Sequence, residues 1–186
     1  MQVGPTEMPD VLRVEPRVFR DGRGQFHETW SAERYGAAGI PGPFVQDNVS
    51  LSRRGVVRGL HFQHPHAQGK LVWVPRGHVL DVVVDVRVGS PTFGRWAGFE
   101  LSDGNALQLF VPPGFAHGFQ VLSDEALFAY KCTDVYHPEC ERTVRWDDPA
   151  IGVRWPLADA VLSPKDAEAP PLHAISQGDL PRWSPA

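Results

Sequence analysis

From about residue 11 to residue 134, apolar and polar positions alternate in short runs, the period-two pattern of strands with one buried face. The runs predict strands over Val11–Val18, Phe26–Trp30, Phe44–Leu51, Val56–Phe62, Leu71–Val74, Val79–Val86, Ala97–Leu101, Leu107–Val111 and Leu127–Thr133. Turn clusters separate them, among them Asp21-Gly22-Arg23-Gly24, Pro75-Arg76-Gly77, Asp103-Gly104-Asn105 and Pro112-Pro113-Gly114. Many short strands with such turns predict an all-β sandwich or barrel. One short peripheral helix is predicted before residue 140, over Ser31–Ala38, opened by Ser31. After residue 145 the pattern changes. Trp146-Asp147-Asp148-Pro149, Trp155-Pro156 and Pro170-Pro171 predict an irregular cap with short helical turns, and residues 173–186 read as a weakly ordered tail.

The strand over Val79–Val86 carries a further signal. Leu80, Val82, Val84 and Val86 share one face, while Asp81 and Asp85 share the other with Val79 and Val83. A core face and a solvated face is the plain reading. The two valines make the acidic face partly apolar, as the lumen of a barrel holding a carboxylate would be.

Composition narrows the classes. Eighteen Gly and eighteen Pro in a chain of 186 that is still 42% hydrophobic favour a turn-rich β fold over disorder. The length fits a single domain over 1–186, with a core of about 10–172. A net charge of −4 supplies no basic field, so nucleic acid is not an expected partner. An anionic ligand would need a local cluster of Arg and Lys. Two cysteines, Cys132 and Cys140, make neither a disulfide framework nor a zinc ribbon. No signal peptide and no membrane-length apolar run is visible, and a soluble cytoplasmic protein is expected.

The polar chemistry concentrates in two strings. The first is Arg58-Gly59-Leu60-His61-Phe62-Gln63-His64-Pro65-His66, followed by Gln68-Gly69-Lys70; the second is Pro112-Pro113-Gly114-Phe115-Ala116-His117-Gly118-Phe119. Pro112 to His117 resembles the second cupin motif. His64-x-His66 resembles the start of the first, but Gln68, Gly69 and Lys70 stand where its Glu is needed, and the next Glu is Glu100. A lysine ammonium repels a divalent cation, so neither a metal nor a redox cofactor is expected. No glycine-rich strand-to-helix turn supports a dinucleotide site. His64 and His66, in a proline-containing loop, have no assigned role.

Taken in order, these strings resemble the dTDP-4-dehydrorhamnose 3,5-epimerase family. The resemblance also includes Gln46-Asp47-Asn48, Val79-Leu80-Asp81-Val82, Gly89-Ser90-Pro91-Thr92-Phe93-Gly94, Tyr130-Lys131-Cys132-Thr133, Arg145-Trp146-Asp147-Asp148-Pro149 and Leu162-Ser163-Pro164-Lys165-Asp166, and it spans roughly 10–172. Val49, where the family commonly has His, and Val135, where it commonly has an aromatic, depart from the pattern. The resemblance implies a cupin jelly-roll. It implies that His61 is the general base, oriented by Asp166, that Tyr130 is the general acid on the opposite face of the sugar, and that Lys70 lies near the C4 oxygen. Arg23, Gln46, Asn48, Arg58, Asp81, His117 and Tyr136 are implied substrate contacts. Phe26 and Glu28 would reach a thymine across a homodimer interface built by exchanged N-terminal segments.

The chemistry explains why those residue types recur. A C–H beside a ketone is acidic because its loss gives an enolate. The reaction needs a base, a cation or donor at the developing oxyanion, and an acid on the other face. One group alone returns the proton to the side it left. Plain readings stand beside each role: Tyr130 as a core aromatic, Lys70 and Arg23 as surface charges, Asp166 as part of a helix start. The expected substrate is a dTDP-4-keto-6-deoxyhexose inverted at C3 and C5. A mono-epimerase, a metal-dependent cupin and a non-catalytic carbohydrate-binding cupin are the alternatives.

Overall fold

The computed structural model describes residues 1–184. Thirteen strands and two short helices follow in chain order. They are β1 (Gln2–Pro5), β2 (Leu12–Glu15), β3 (Phe19–Asp21), β4 (Gly24–Phe26), α1 (Ala32–Ala37), β5 (Gln46–Arg53), β6 (Val57–Gln63), β7 (Lys70–Arg76), β8 (His78–Asp85), β9 (Trp96–Ser102), β10 (Gln108–Val111), β11 (Phe115–Val121), β12 (Glu125–Cys132), β13 (Glu141–Thr143) and α2 (Pro164–Ala167). A six-stranded sheet runs β1-β2-β10-β7-β12-β5 and a five-stranded sheet runs β13-β6-β11-β8-β9. The two face each other as an all-β, cupin-type jelly-roll sandwich, and β3–β4 stands apart as a hairpin.

Three apolar clusters explain the layering. The first lies between the sheets and joins Val72, Leu109 and Phe128 of one to Val79, Val83, Leu101 and Phe119 of the other. The second covers the outer face of the five-stranded sheet, where Leu60, Phe62, Val82, Val84 and Val86 meet Val144, Ile151, Leu172 and Leu180. The third packs α1 on the other outer face through Tyr35, Ile40, Leu71 and Phe110. Both faces of β8 are therefore buried. Its acidic face looks into the sandwich, and the face of Val82, Val84 and Val86 lies under the C-terminal segment.

Strands β1, β3, β11 and β13 match none of the predicted runs, and the structure departs from the sequence pattern at three further places. The apolar run Phe26–Trp30 is a strand only to Phe26. Beyond it Trp30 is an anchor instead, packing edge-on against Phe44 and tilted against Tyr35. The run Val11–Val18 contracts to Leu12–Glu15 because Pro16 cannot continue a ladder. Residues 173–184 are docked rather than weakly ordered. Leu180 is buried, Val88 N donates to Pro181 O (2.8 Å), and Trp183 N donates to Val88 O (3.0 Å). Buried Asp148 fixes the start of this segment by accepting from Leu172 N at 2.7 Å. The apolar residues Leu172, Ile175 and Leu180 follow no period, so nothing in the pattern marks them as a plug. Residues 185 and 186 of that expected tail lie outside the described residues.

The docked segment generates a prediction. Leu180→Ala removes a buried side chain from the outer cluster and is expected to cost about 2–4 kcal/mol in urea unfolding. A change near zero would show that the segment contributes nothing to the fold.

Candidate active site

A cavity of about 600 Å³ opens between the sheets. The five-stranded sheet supplies Arg58 and His61 from β6 and His117 from β11; the six-stranded sheet supplies Asn48 from β5, Lys70 from β7 and Tyr130 from β12; α2 adds Asp166. A second space of about 290 Å³ shares Asn48, His61, Lys70 and Tyr130 with the first and is also lined by Gln46, Tyr136, Cys132 and Glu141.

Strand register places these side chains. Directly paired residues share a face of a sheet. Asn48, Tyr130 and Val72 form one such row, and Gln46, Cys132 and Lys70 form the next. Both rows point inward, where Val72 and Tyr130 meet the central cluster. On the opposing sheet His61 pairs with His117. The next pair is Arg58 with Phe119, so β6 carries one extra residue against β11. Without that bulge, residues 58 and 61 would point to opposite faces. With it, both line the cavity.

The bulge depends on two glycines. A Cβ on Gly118 would sit 2.5 Å from Arg58 O, and one on Gly59 would sit 2.7 Å from Gly118 Cα and from His117 O. Gly59 also has φ +121°, a conformation that other residues avoid. The recurring Gly in Arg58-Gly59-Leu60-His61 and in His117-Gly118-Phe119 thus has a steric reason.

His61 Nε2 lies 2.6 Å from Asp166 Oδ1. With Nε2–H donated to the carboxylate, Nδ1 carries the lone pair of the neutral ring. Asp166 is held by its own helix, since its N–H donates to Ser163 Oγ, the N-cap of α2. Burial works to raise the Asp166 pKa, but the His61 hydrogen bond and charge, together with Ser163, bring it below the ordinary carboxylate value. A second pair stands beside the first: His117 Nε2 lies 2.8 Å from Asp81 Oδ2.

The Lys70 ammonium makes no hydrogen bond or ion pair among the described residues. Burial lowers its pKa, against the opposing pull of the Cys132, Glu141 and Asp81 charges. Arg58 donates only to Ser52 Oγ (2.9 Å). Two cations without carboxylate partners therefore face one cavity, an arrangement that suits an anionic ligand or a developing oxyanion. Burial raises the Tyr130 pKa, which keeps its phenol protonated as a proton donor.

The remaining expected site residues are placed as follows. Gln46 and Tyr136 line the smaller space, and Gln46 Oε1 accepts from Tyr136 N (2.8 Å). Asp81 is fully buried and lines neither cavity, so it touches the site through His117. Arg23 and Phe26 lie on the β3–β4 hairpin, away from His61; Arg23 pairs with Asp21 and Glu28 with Arg34. Phe26 is 71% exposed, and within one chain these three residues do not join the cavity. Val49 is exposed at the cavity rim. Sequence reasoning passed over Glu141 and Lys165. Glu141 Oε2 accepts from Tyr136 Oη at 2.8 Å and from Lys165 Nζ at 2.6 Å, which ties β13 to α2 behind the dyad. No local pattern marks the link to Lys165, because α2 and β13 are separate in the chain.

The chain is similar over most of its length to proteins of one known family. A family profile described as dTDP-4-dehydrorhamnose 3,5-epimerase matches residues 5–174. The dTDP-4-dehydrorhamnose 3,5-epimerase of Pseudomonas aeruginosa is 54% identical over 163 residues, covering 87% of this chain and 90% of its own. The dTDP-6-deoxy-D-glucose-3,5-epimerase of Legionella pneumophila, solved in complex with dTDP-4-keto-L-rhamnose, superposes with a TM-score of 0.96 at 49% identity, covering 99% of each chain. A 3'-monoepimerase of Streptomyces bikiniensis, solved with dTDP-quinovose, superposes with a TM-score of 0.90 at 36% identity over 98% of this chain and 93% of its own.

The dyad makes a prediction about pH. The folded pKa of Asp166 is depressed, so its contribution to stability is present above the unfolded carboxylate pKa and is lost as pH falls through the folded value. The stability advantage of the wild type over Asp166→Asn should be full above about pH 5 and shrink steadily below it. Thermal unfolding of both proteins across that range tests this, and a difference that does not vary with pH would refute it.

Proposed function

The chain belongs to the dTDP-4-dehydrorhamnose 3,5-epimerase family, and from that premise we propose that it inverts C3 and C5 of dTDP-4-keto-6-deoxy-D-glucose to give dTDP-4-keto-L-rhamnose. One observation carries the reading. The His61–Asp166 pair comes from one side of the sandwich, while Tyr130 and the unpaired Lys70 come from the opposing sheet, and all line the same cavity.

In this reading His61 removes the proton next to the C4 ketone. The enolate oxygen develops negative charge, which the Lys70 ammonium stabilises by an amount of the order of 3–4 kcal/mol. Tyr130 returns a proton from the far face, and the configuration is inverted. Arg58 and His117 hold the sugar and its phosphates, and Gln46, Asn48 and Tyr136 line the space for the rest of the nucleotide. A mono-epimerase is the second reading, favoured by the likeness to the Streptomyces bikiniensis enzyme. The higher identity to 3,5-epimerases supports inversion at both carbons.

The hairpin residues Arg23, Phe26 and Glu28 enter the reading through a homodimer with exchanged N-terminal segments. An exposed Phe26 on a projecting hairpin supports this, because it then stacks on the thymine in a second copy's cavity. Two free, buried thiols fit a reducing cytoplasm. No helix of the described residues is long and apolar enough to cross a membrane.

Proton NMR in deuterated water tests the chemistry by scoring exchange and inversion at both carbons. His61→Ala should abolish exchange at C3 and C5. Tyr130→Phe should keep exchange, with configuration retained, while inversion falls by roughly 10²-fold or more. Undiminished inversion in Tyr130→Phe removes that residue from the mechanism, and exchange confined to one carbon in the wild type selects the mono-epimerase reading.

Phe26→Ala should raise KM far more than it lowers kcat, reflecting a stacking contact of about 1–3 kcal/mol. A fully active monomer at micromolar concentration would refute the shared site.

A further inference from the structure

One side-chain cluster outside the cavity is organised like a metal site. His66, Asp134 and His137 each present a ligand atom, and these atoms lie within 4.8 Å of one another. His66 Nδ1 is 3.5 Å from Asp134 Oδ2, and the His66 and His137 rings stack with centroids 4.1 Å apart. The two segments that carry them are separate in sequence. One is the loop after β6, the other the loop after β12.

The surroundings fix the cluster on both sides. The Gln63 amide bridges the two loops: its Nε2 donates to His66 O (2.8 Å) and Val135 O (3.3 Å), and its Oε1 accepts from His137 N (2.8 Å). Gln68 Nε2 donates to Asp134 O at 2.8 Å. Asp134 Oδ1 accepts from Val135 N, which leaves Oδ2 directed at His66. His137 Nδ1 lies 3.3 Å from Glu139 Oε1, so Nε2 is its free nitrogen. A carboxylate on the second nitrogen of a ligating imidazole is the usual outer support of a metal-bound histidine.

We infer that His66, Asp134 and His137 form a surface site for a divalent cation of borderline softness, with Zn²⁺ the best match. Two imidazoles and one carboxylate are a zinc donor set, with water filling the fourth position. The set excludes Mg²⁺ and Ca²⁺ as preferred occupants, because those ions favour all-oxygen sites. The site is distinct from the cavity, where Lys70 opposes a cation. Its position still matters there. Tyr136 lies between Asp134 and His137 and lines the smaller space, so a bound ion clamps the segment that carries Tyr136.

Tag-free full-length protein titrated with Co²⁺ alone, then with competing Zn²⁺, tests the inference. One Co²⁺ per chain should give a saturable visible absorption that Zn²⁺ removes, and Zn²⁺ should raise the unfolding temperature. His66→Ala and His137→Ala should each weaken binding by more than about tenfold, whereas the neighbouring His64→Ala should not. In the wild type, Zn²⁺ should shift the imidazole NMR signals of His66 and His137, which decides the matter if a variant misfolds. Absence of a one-per-chain signal, or a signal that the His66→Ala/His137→Ala double variant keeps, overturns the assignment.

Discussion

Two strands of the five-stranded sheet approach so closely at Gly59 and Gly118 that neither position has room for a methyl group. The cavity-facing wall of this sheet depends on this contact. It allows the bulge in β6, and the bulge turns Arg58 and His61 to one side while Leu60 and Phe62 stay on the other, in the outer cluster. One local steric condition therefore sets the direction of a cation, places a histidine, and keeps two large apolar side chains in the core. The cross-strand pair His61–His117 then brings both histidines to the same wall, and each finds a carboxylate: Asp166 from a later helix and Asp81 from the adjacent strand.

Charge is divided unevenly across the molecule. Arg87 bonds Asp85 and Asp10, Arg142 bonds Asp179, and Lys165 bonds Glu141. Among the described residues Lys70 and Arg58 have no carboxylate partner, and both face the cavity. Holding a half-buried ammonium without a counter-ion lowers its pKa, so the fold bears an electrostatic cost at Lys70. That cost is relieved when an anionic oxygen arrives. A residue packed only for stability would have been paired or left in water, and this asymmetry favours a functional reading of Lys70 over a surface charge.

The sequence displayed the parts of this structure that follow a period. Strands β5 to β10 and β12 lie within a few residues of the runs that predict them, and Ser31 caps α1 where the pattern places a helix start. The acidic face of β8 is legible because Val79 and Val83 alternate with Asp81. What could not be read is tertiary. Leu180 and Leu172 have no periodic neighbours, so their docking on β8 is invisible until the sheet exists. The same holds for the link of Glu141 to Lys165, which lies on a separate helix. The motifs locate His61 and Asp166 separately; only the fold brings the two within 2.6 Å. The hairpin β3–β4 marks the opposite limit. Its residues are evident in the sequence, but a single chain leaves them outside the cavity.

The sandwich itself supplies what inversion requires. A proton lost from one face of a planar enolate must return from the other, so the acid and the base need separate mounts on opposite walls. Within a single sheet, neighbouring inward side chains point the same way and would approach a bound sugar from one side. Two facing sheets remove that restriction. Here the dyad stands on the five-stranded sheet and its adjoining helix, while Tyr130 and Lys70 stand on adjacent strands of the six-stranded sheet. The spacing between the walls is fixed by the central cluster, in which Phe119 and Phe128 stack with centroids 4.1 Å apart and themselves line the floor of the cavity. Packing between the sheets is thus what holds His61 and Tyr130 on opposite walls at their separation.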